Sequence, residues 1–532
     1  MPRLSLPPST FFVLVFSASF LGAAAYDVLF FDDLLHMFRY EDMPFFEYFN
    51  SKYVSSVPFY HLIFKIFRGI SSPVVIRVIT ILVMLLGLVG LKRVLTRLNV
   101  SDDVSYVCVS LCALSYFSAE PIYFISAFGQ HFSWAATVWM CFIVLHMLQK
   151  HQTRSLYLLG VFVLYWAAAF INAQNALIPF AFGALLLVPV YRSKRNAYLL
   201  AIVFSLTSVP FLIRKFVFSV EYHINELGWV SYGPSEVISR LSRYAHSLIE
   251  IEPSFVAADF LLVGSMVGTF LLIEKESFSK KSSVTGEFYA FFSALFFFSV
   301  ITVLLIKHSP ARYFFSPTVF LLSMLVVVLY ARLDRKLFKV AIVALLSLLG
   351  VQRVGFIDEN FKPLKQAYFD FANQHLQILA SLPDYSQFLI LNHPIHKLTR
   401  GYHHWSTRLA WQLTGNRTLS GIFGDTGYPS DLITDHHWAS KDGISFRKRN
   451  AGLNAERKTF VYLFDSDGGV FREIQAIDVE GDEPKHFIVD KANRLLQTGG
   501  GGWIELSNNS IRLKSYEKEI SDIEYRAILQ YP

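Results

Sequence analysis

The stretch Phe11-Phe12-Val13-Leu14-Val15-Phe16-Ser17-Ala18-Ser19-Phe20-Leu21-Gly22-Ala23-Ala24-Ala25-Tyr26 carries no charge, and shortly after it the chain reads Phe31-Asp32-Asp33-Leu34-Leu35-His36. A run this apolar enters a bilayer, where an unpaired carboxylate is strongly disfavoured. The two adjacent acids are therefore expected at the membrane surface, just beyond the first helix. Arg3 precedes the run without a trustworthy small-residue cleavage site, so the segment reads as a retained first helix.

The rest of the composition agrees with a membrane protein. Of 532 residues, 53% are hydrophobic and only 17% charged, against about 25% charged in soluble domains. The 51 phenylalanines suit lipid-facing and interfacial surfaces. The surplus of 48 Lys and Arg over 41 Asp and Glu reads as a record of topology, since cytoplasmic loops collect basic residues. No basic helix or basic patch interleaved with aromatics is present, which argues against a nucleic-acid partner. Cys108, Cys112 and Cys141 all fall in expected spans and read as small packing residues, although Cys108 and Cys112 sit one helical turn apart.

Apolar stretches of about 17–25 residues are the unit of a spanning helix. They fall near 10–26, 73–91, 102–118, 130–148, 156–172, 175–190, 197–213, 256–273, 287–306, 316–331 and 338–352, giving about eleven transmembrane helices. Lys92, Arg93 and Arg97, Lys150 and Arg154, Arg192, Lys194 and Arg195, Lys275, Lys280 and Lys281, and Arg332, Arg335, Lys336 and Lys339 collect on one side. That side is cytoplasmic by the positive-inside rule, and it holds the N-terminus. The turns 119–129 and 172–175 contain no Lys or Arg and fall outside. So do the acid pair, the segments 27–72, 214–255 and 307–315, and everything after residue 352.

Beyond Gln352 the character changes. Strand-like runs appear at Phe388-Leu389-Ile390-Leu391 and Phe460-Val461-Tyr462-Leu463-Phe464, with turn signals at Asp465-Ser466-Asp467-Gly468-Gly469 and at Gly499 to Gly502. The prediction is a polytopic α-helical membrane protein with a C-terminal extracytoplasmic mixed α/β domain. Residues 1–352 form the transmembrane module, with interfacial helices in the first outer loop (27–72), and residues 353–532 form the outer domain. No internal repeat marks a transporter built from two halves.

The first outer loop carries the chemistry. If 32–40 is helical, Asp32, His36 and Arg39 share a face. The loop runs through Glu41, Asp42, Glu47 and Lys52 to Pro58-Phe59-Tyr60-His61, too polar to cross a bilayer and aromatic enough to lie along its surface. A carboxylate beside a membrane with nearby cations suits transfer of a group from a phosphate-linked lipid. The carboxylate takes a proton from an attacking hydroxyl, and cations stabilise the charge on the departing phosphate. The competing reading is a pair of acids at a helix N-terminus.

Phe31-Asp32-Asp33 after the first span, Val57-Pro58-Phe59-Tyr60-His61 before the second, and His308-Ser309-Pro310-Ala311-Arg312-Tyr313-Phe314 in a late outer loop together resemble the GT-C superfamily of polytopic glycosyltransferases. Protein O-mannosyltransferases and lipid A aminoarabinose transferases are of this type. The resemblance covers the layout of about residues 1–350. His61 stands where an aromatic is usual, Asp33 where Glu is common, and the nearest acid for a second motif is Glu120, ahead of Pro121.

The resemblance implies an inverting transfer of a sugar from a polyprenyl-phosphate donor to an acceptor glycan, lipid or protein. Asp32 is then the base, with Asp33 orienting the acceptor or supporting the base, two adjacent acids whose repulsion raises one of them. Arg312, whose planar guanidinium matches phosphate oxygens, would hold the donor phosphate with Lys307, His308, His61 and Lys52; its competing reading is snorkelling at a helix end. Substrate contacts are expected from Tyr60, His36, Arg39, Glu120, Glu221, Arg243 and Tyr313. In the other large outer loop Arg240, Arg243 and Ser247 share a helical face, as a second interfacial helix would.

A divalent cation stays open as a cofactor. Asp32, Asp33 and His36, His403-His404, Asp435-His436-His437 and Asp465 with Asp467 contain ligand-type residues, but none has the spacing of a closed site. A hairpin turn accounts better for Asp465 to Gly468. Aromatic-rich Tyr402-His403-His404-Trp405 and His437-Trp438 suit stacking on sugars as well as ordinary packing. Nucleotide sugars are absent outside a bacterial inner membrane, so a lipid must carry the activated sugar there; the endoplasmic reticulum lumen poses the same problem. Asn416-Arg417-Thr418 and Asn508-Asn509-Ser510 are sequons that would fit that lumen, while the lack of disulfide-capable cysteines favours bacteria. Lipopolysaccharide, cell-wall polymer and protein acceptors are all compatible. The rivals are a lipid-linked glycan polymerase or ligase and, further off, a lipid or glycan transporter.

Overall fold

In the computed structural model the described residues are mainly 6–24, 72–150, 154–171, 177–216, 234–248, 257–273, 286–304, 311–362, 378–391 and 403–423. Short pieces lie between them, and the backbone of the strands beyond residue 439 is also described. Among the described residues, those up to Phe361 form a helical unit and those from Lys362 onward form a second.

The helical unit contains α1 (Pro8–Ala24), α2 (Pro73–Arg97), α3 (Asp102–Leu114), α4 (Phe128–Lys150), α5 (Ser155–Ile171), α6 (Lys194–Phe216), α7 (Pro234–Ser247), α8 (Ala257–Leu271), α9 (Gly286–Leu304), α10 (Phe315–Arg332) and α11 (Arg335–Asn360). Five of these, α2, α4, α9, α10 and α11, are long and apolar enough to cross a bilayer. On that basis the chain is a membrane protein of the helical type.

Local sequence sets the helix starts. Ser72 accepts from the Val75 N–H and Pro73 fills the first helical position of α2. Ser101 plays the same part for α3, whose first turn also holds Asp102 and Asp103 against the positive end of its dipole. Asp334 Oδ1 accepts from the N–H groups of Lys336 and Leu337 at 2.8 and 2.9 Å to start α11.

Two expected spans differ from their description in the sequence. Residues 102–118 do not form one helix, because α3 ends at Leu114 and Ser115 takes an extended ψ of 131°. The stretch 175–190 is wound as a 3-10 helix, Ile178–Leu187, with a further turn at Pro189–Tyr191. Prolines stand at its start and immediately after it. At the far end, α11 continues through Gln352 to Asn360.

Packing is close where α2 meets α4. A Cβ on Gly87 would lie 2.2 Å from Trp134 Cζ3, and one on Gly90 would lie 3.0 Å from Trp139 Nε1. The missing side chains make room for two indoles, one of which donates from Nε1 to the Leu86 carbonyl at 3.0 Å. Small residues at helix contacts serve this purpose in membrane bundles generally. Cys108 and Cys112 are buried, with their sulfurs 4.0 and 3.7 Å from the Ser323 and Val319 carbonyls of α10.

At one end of the bundle a polar latch closes α2, α4 and α9. Gln149 Nε2 donates to the Arg97 carbonyl at 2.7 Å and to the Tyr191 hydroxyl at 3.3 Å, and that hydroxyl donates to Glu287 Oε2 at 3.1 Å. Burial is the main cause that pushes the Tyr191 phenol up to about 12. Lys92 pairs with Asp102 at 2.8 Å nearby.

In the second unit, β1 (Gln387–Leu391), α12 (His403–Thr414) and β2 (Ser420–Phe423) form a parallel unit in which α12 packs on β2. Gly421 N–H donates to Thr407 Oγ1 at 3.0 Å, and Trp411 Nε1 to the Leu419 carbonyl at 2.6 Å. Two short strands, β3 (Ala439–Ser440) and β4 (Gly443–Ile444), make a small antiparallel pair. β5 (Thr459–Phe464) runs parallel to β1 on its other side, and β6 (Phe471–Ile477) runs antiparallel to β5, so the sheet order is β2-β1-β5-β6. Phe464 lies opposite Phe471 at the end of that pairing. A second sheet, β10-β9-β8-β7, is antiparallel throughout, built from β7 (His486–Val489), β8 (Arg494–Thr498), β9 (Gly502–Ser507) and β10 (Ser510–Ser515).

Candidate functional site

Opposite the Tyr191 latch, the chain leaves α3 at Ser115 and reaches α4 through three short turns: Tyr116–Ser118, Glu120–Tyr123 and Ile125–Ala127. Nearly all of this connection is buried. Broken backbone inside a membrane bundle needs partners for its carbonyls, and two arginines supply them.

Arg353 of α11, 2% exposed, is the first. Its Nη1 donates to the Ala113 and Ser115 carbonyls at 3.0 and 3.1 Å and to Ser118 Oγ at 2.8 Å, while Nη2 donates to the Ser19 carbonyl at 2.6 Å. The Phe20 ring lies 4.7 Å from its guanidinium carbon. A cation at the negative end of α3 is favourably placed, so α1, α3 and α11 meet at one side chain.

Arg77 of α2, fully buried, is the second. It donates through Nη1 to the Tyr26 carbonyl and through Nη2 to the Tyr123 carbonyl, the latter at 2.9 Å. This fixes the exit of α1 against the connection before α4. The Tyr26 and Tyr123 rings meet edge to face at 4.9 Å, and Tyr123 stacks on Phe361 at 4.5 Å. Burial, before any neighbouring charge, raises the Tyr123 phenol.

His131, at the start of α4, lies 3.0 Å through Nε2 from the Ser118 carbonyl. A carbonyl only accepts, so Nε2 carries the proton. Nδ1 is buried without a hydrogen-bond partner among the described residues. Beside it, Asn175 Nδ2 donates to Ser133 Oγ at 3.1 Å and accepts at Oδ1 from Ser316 Oγ at 3.0 Å, joining α4 to α10.

α7 closes this end. Arg240 Nη1 donates to the Leu304 carbonyl at 3.2 Å, and Tyr244 OH lies 3.1 Å from Thr318 Oγ1. The Tyr244 ring stacks on Phe314 at 4.6 Å. The Ser247 and Leu248 carbonyls accept from Tyr116 OH and Gln352 Nε2 at 3.1 and 3.0 Å.

Of the residues nominated from the sequence, Glu120 is buried in its one-turn helix. Arg312 and Tyr313 belong to the 3-10 turn Ala311–Phe314, where Tyr313 is half-buried. That turn packs against both Tyr116–Ser118 and Glu120–Tyr123, so two segments expected from separate loops are brought together. Arg243 is exposed on α7. The face expected to join Arg240, Arg243 and Ser247 is split: Arg240 is buried with Tyr244, and Arg243 turns away from them. Asp32, Asp33, His36, Arg39, Lys52, Tyr60, His61, Glu221, Lys307 and His308 lie outside the described residues. Among those that are described, no group of three or more His, Cys, Asp or Glu is gathered closely enough to hold a metal ion.

No protein-family model matches the chain, and no curated protein does.

Arg77 and Arg353 went unnominated. The available signal was a lone arginine in an apolar helix, which is a pointer to function or to architecture wherever it occurs.

Proposed function

We propose that the chain is an inverting glycosyltransferase of the GT-C type, moving a sugar from a polyprenyl-phosphate donor to an acceptor on the outer face of a bacterial inner membrane. In this reading about eleven helices cross the bilayer, the N-terminus is cytoplasmic, and the second unit is an extracytoplasmic mixed α/β domain that binds the acceptor. The observation that carries the proposal is the Arg77 clamp on the Tyr26 carbonyl. It anchors the chain immediately upstream of the acid pair and ties it to the connection that holds Glu120, whose neighbour is the Arg312–Tyr313 turn.

The reaction needs one base and one phosphate site. Asp32 takes the proton of the acceptor hydroxyl as its oxygen bonds to the anomeric carbon. The bond from that carbon to the donor phosphate breaks, and the polyprenyl phosphate leaves with the electron pair. Arg312, aided by Lys307, His308, His61 and Lys52, neutralises the charge that develops on it. Asp33 supports the base, and Tyr60, His36, Arg39, Glu120, Glu221, Arg243 and Tyr313 contact the substrates.

The test is sugar transfer by the purified protein from a panel of polyprenyl-phosphate sugars, for wild type and Asp32→Asn, with and without chelator. We expect transfer or slow donor hydrolysis in the wild type and a loss of at least about 100-fold in Asp32→Asn. Chelator sensitivity would add a divalent cation to the mechanism. Full activity in Asp32→Asn would refute the assignment of the base and favour a lipid-linked glycan polymerase or ligase.

A further inference from the structure

α7 has three faces. With successive residues about 100° apart around a helix, Arg240, Tyr244 and Ser247 fall on one side, and this side carries the contacts to Leu304, Phe314, Thr318 and Tyr116. On one flank of that buried side stand Ile238, Leu241 and Ala245, all exposed, Ile238 at 65% and Leu241 at 40%. On the other flank stand Ser239, Arg243 and His246, also exposed. The helix therefore presents an apolar edge and a polar edge to two different surroundings.

Its level along the bundle is fixed by what it grips. Arg240 holds the carbonyl of Leu304, the last residue of α9, and Tyr244 reaches Phe314 and Thr318 at the start of α10. Both α9 and α10 are long and apolar enough to span a bilayer, so α7 lies where they enter or leave the hydrocarbon. Deeper along α9, Phe297 is 57% exposed, an apolar side chain open at the level where that helix runs through the hydrocarbon. Hydrocarbon on all sides would not accept Arg243, and water on all sides would leave adjacent large apolar residues uncovered.

We propose that α7 lies flat in the headgroup layer of the bilayer. The Ile238–Leu241–Ala245 edge rests among acyl chains, and the Ser239–Arg243–His246 edge faces lipid phosphates and water. The partner is the phospholipid surface itself, and the assignment is independent of the reaction proposed above.

The test uses the full chain in vesicles of phosphatidylcholine with a minor share of phosphatidylglycerol, carrying single nitroxide labels at Ile238→Cys, Leu241→Cys, Ser239→Cys or Arg243→Cys. The native Cys108, Cys112 and Cys141 are buried, so an introduced surface cysteine carries the label. Val340→Cys on α11 and Tyr385→Cys in the second unit, both exposed, serve as lipid and water references. Labels at 238 and 241 should collide with oxygen severalfold more than with a soluble nickel chelate, approaching the residue 340 reference. Labels at 239 and 243 should show the reverse preference. Equal nickel access on both edges would place α7 in water, and equal oxygen access on both would bury it in hydrocarbon; either result overturns the proposal. Two positions on each edge keep the outcome readable if one variant folds poorly.

Discussion

Arg353 illustrates what one side chain does in this bundle. It reaches four acceptors on α1, on α3 and in the connection after α3. A lysine offers three donors on a single nitrogen and cannot fork between carbonyls. Arg353→Lys should therefore cost about 2–4 kcal/mol, read as a lower denaturation midpoint of the detergent-solubilised protein; an unchanged midpoint would mean that the clamp is dispensable. At the other end of the bundle, Tyr191 titrates late because its fold favours the neutral phenol. Its folded value of about 12 exceeds the ordinary 10.0, so this contribution to stability is complete below pH 10 and is lost as pH rises through about 12. The phenolate absorbance of wild type minus Tyr191→Phe should show its step near the upper value, and a step near pH 10 would contradict the burial argument. Tyr191→Phe itself should cost about 1 kcal/mol at neutral pH, from the lost bonds to Glu287 and Gln149.

At the scale of elements, the α2–α4 contact is the sharpest case. Gly87→Ala would drive a methyl into the fixed Trp134 ring and should cost about 1–3 kcal/mol. Trp134→Leu in the same chain should remove most of that penalty, so the double variant loses less than the sum of the two singles. Additive losses would show that the two helices part rather than clash. The existence of these helices was legible in the sequence because apolar runs such as 73–91 have few alternatives in a bilayer. The winding of 178–187 was not, since a 3-10 and an α segment share the same composition. Nor was the break at Ser115, whose carbonyl is held by Arg353, a residue distant in sequence. Part of the candidate site's framework was legible. Glu120 and the Arg312–Tyr313 turn were named in advance and are neighbours. Arg77 and Arg353 were not legible, because each is a single charge within a long apolar run whose overall composition hides it.

Among the described residues the molecule has two compact units, one ending at Phe361 and the other starting at Lys362. Units with separate cores unfold separately, so calorimetry of the purified chain should resolve two transitions, and a single two-state transition would tell against the division. Within the helical unit, the 3-10 segment Ile178–Leu187 runs between two fixed points. Asn175 is held by Ser133 and Ser316 at one end, and Tyr191 by Glu287 and Gln149 at the other. Each residue of a 3-10 helix advances about 2.0 Å, against about 1.5 Å in an α-helix. The ten residues of this segment thus cover about 20 Å instead of about 15 Å. The tighter winding acts as a strut, giving a short stretch of chain the length to brace the two ends of the bundle.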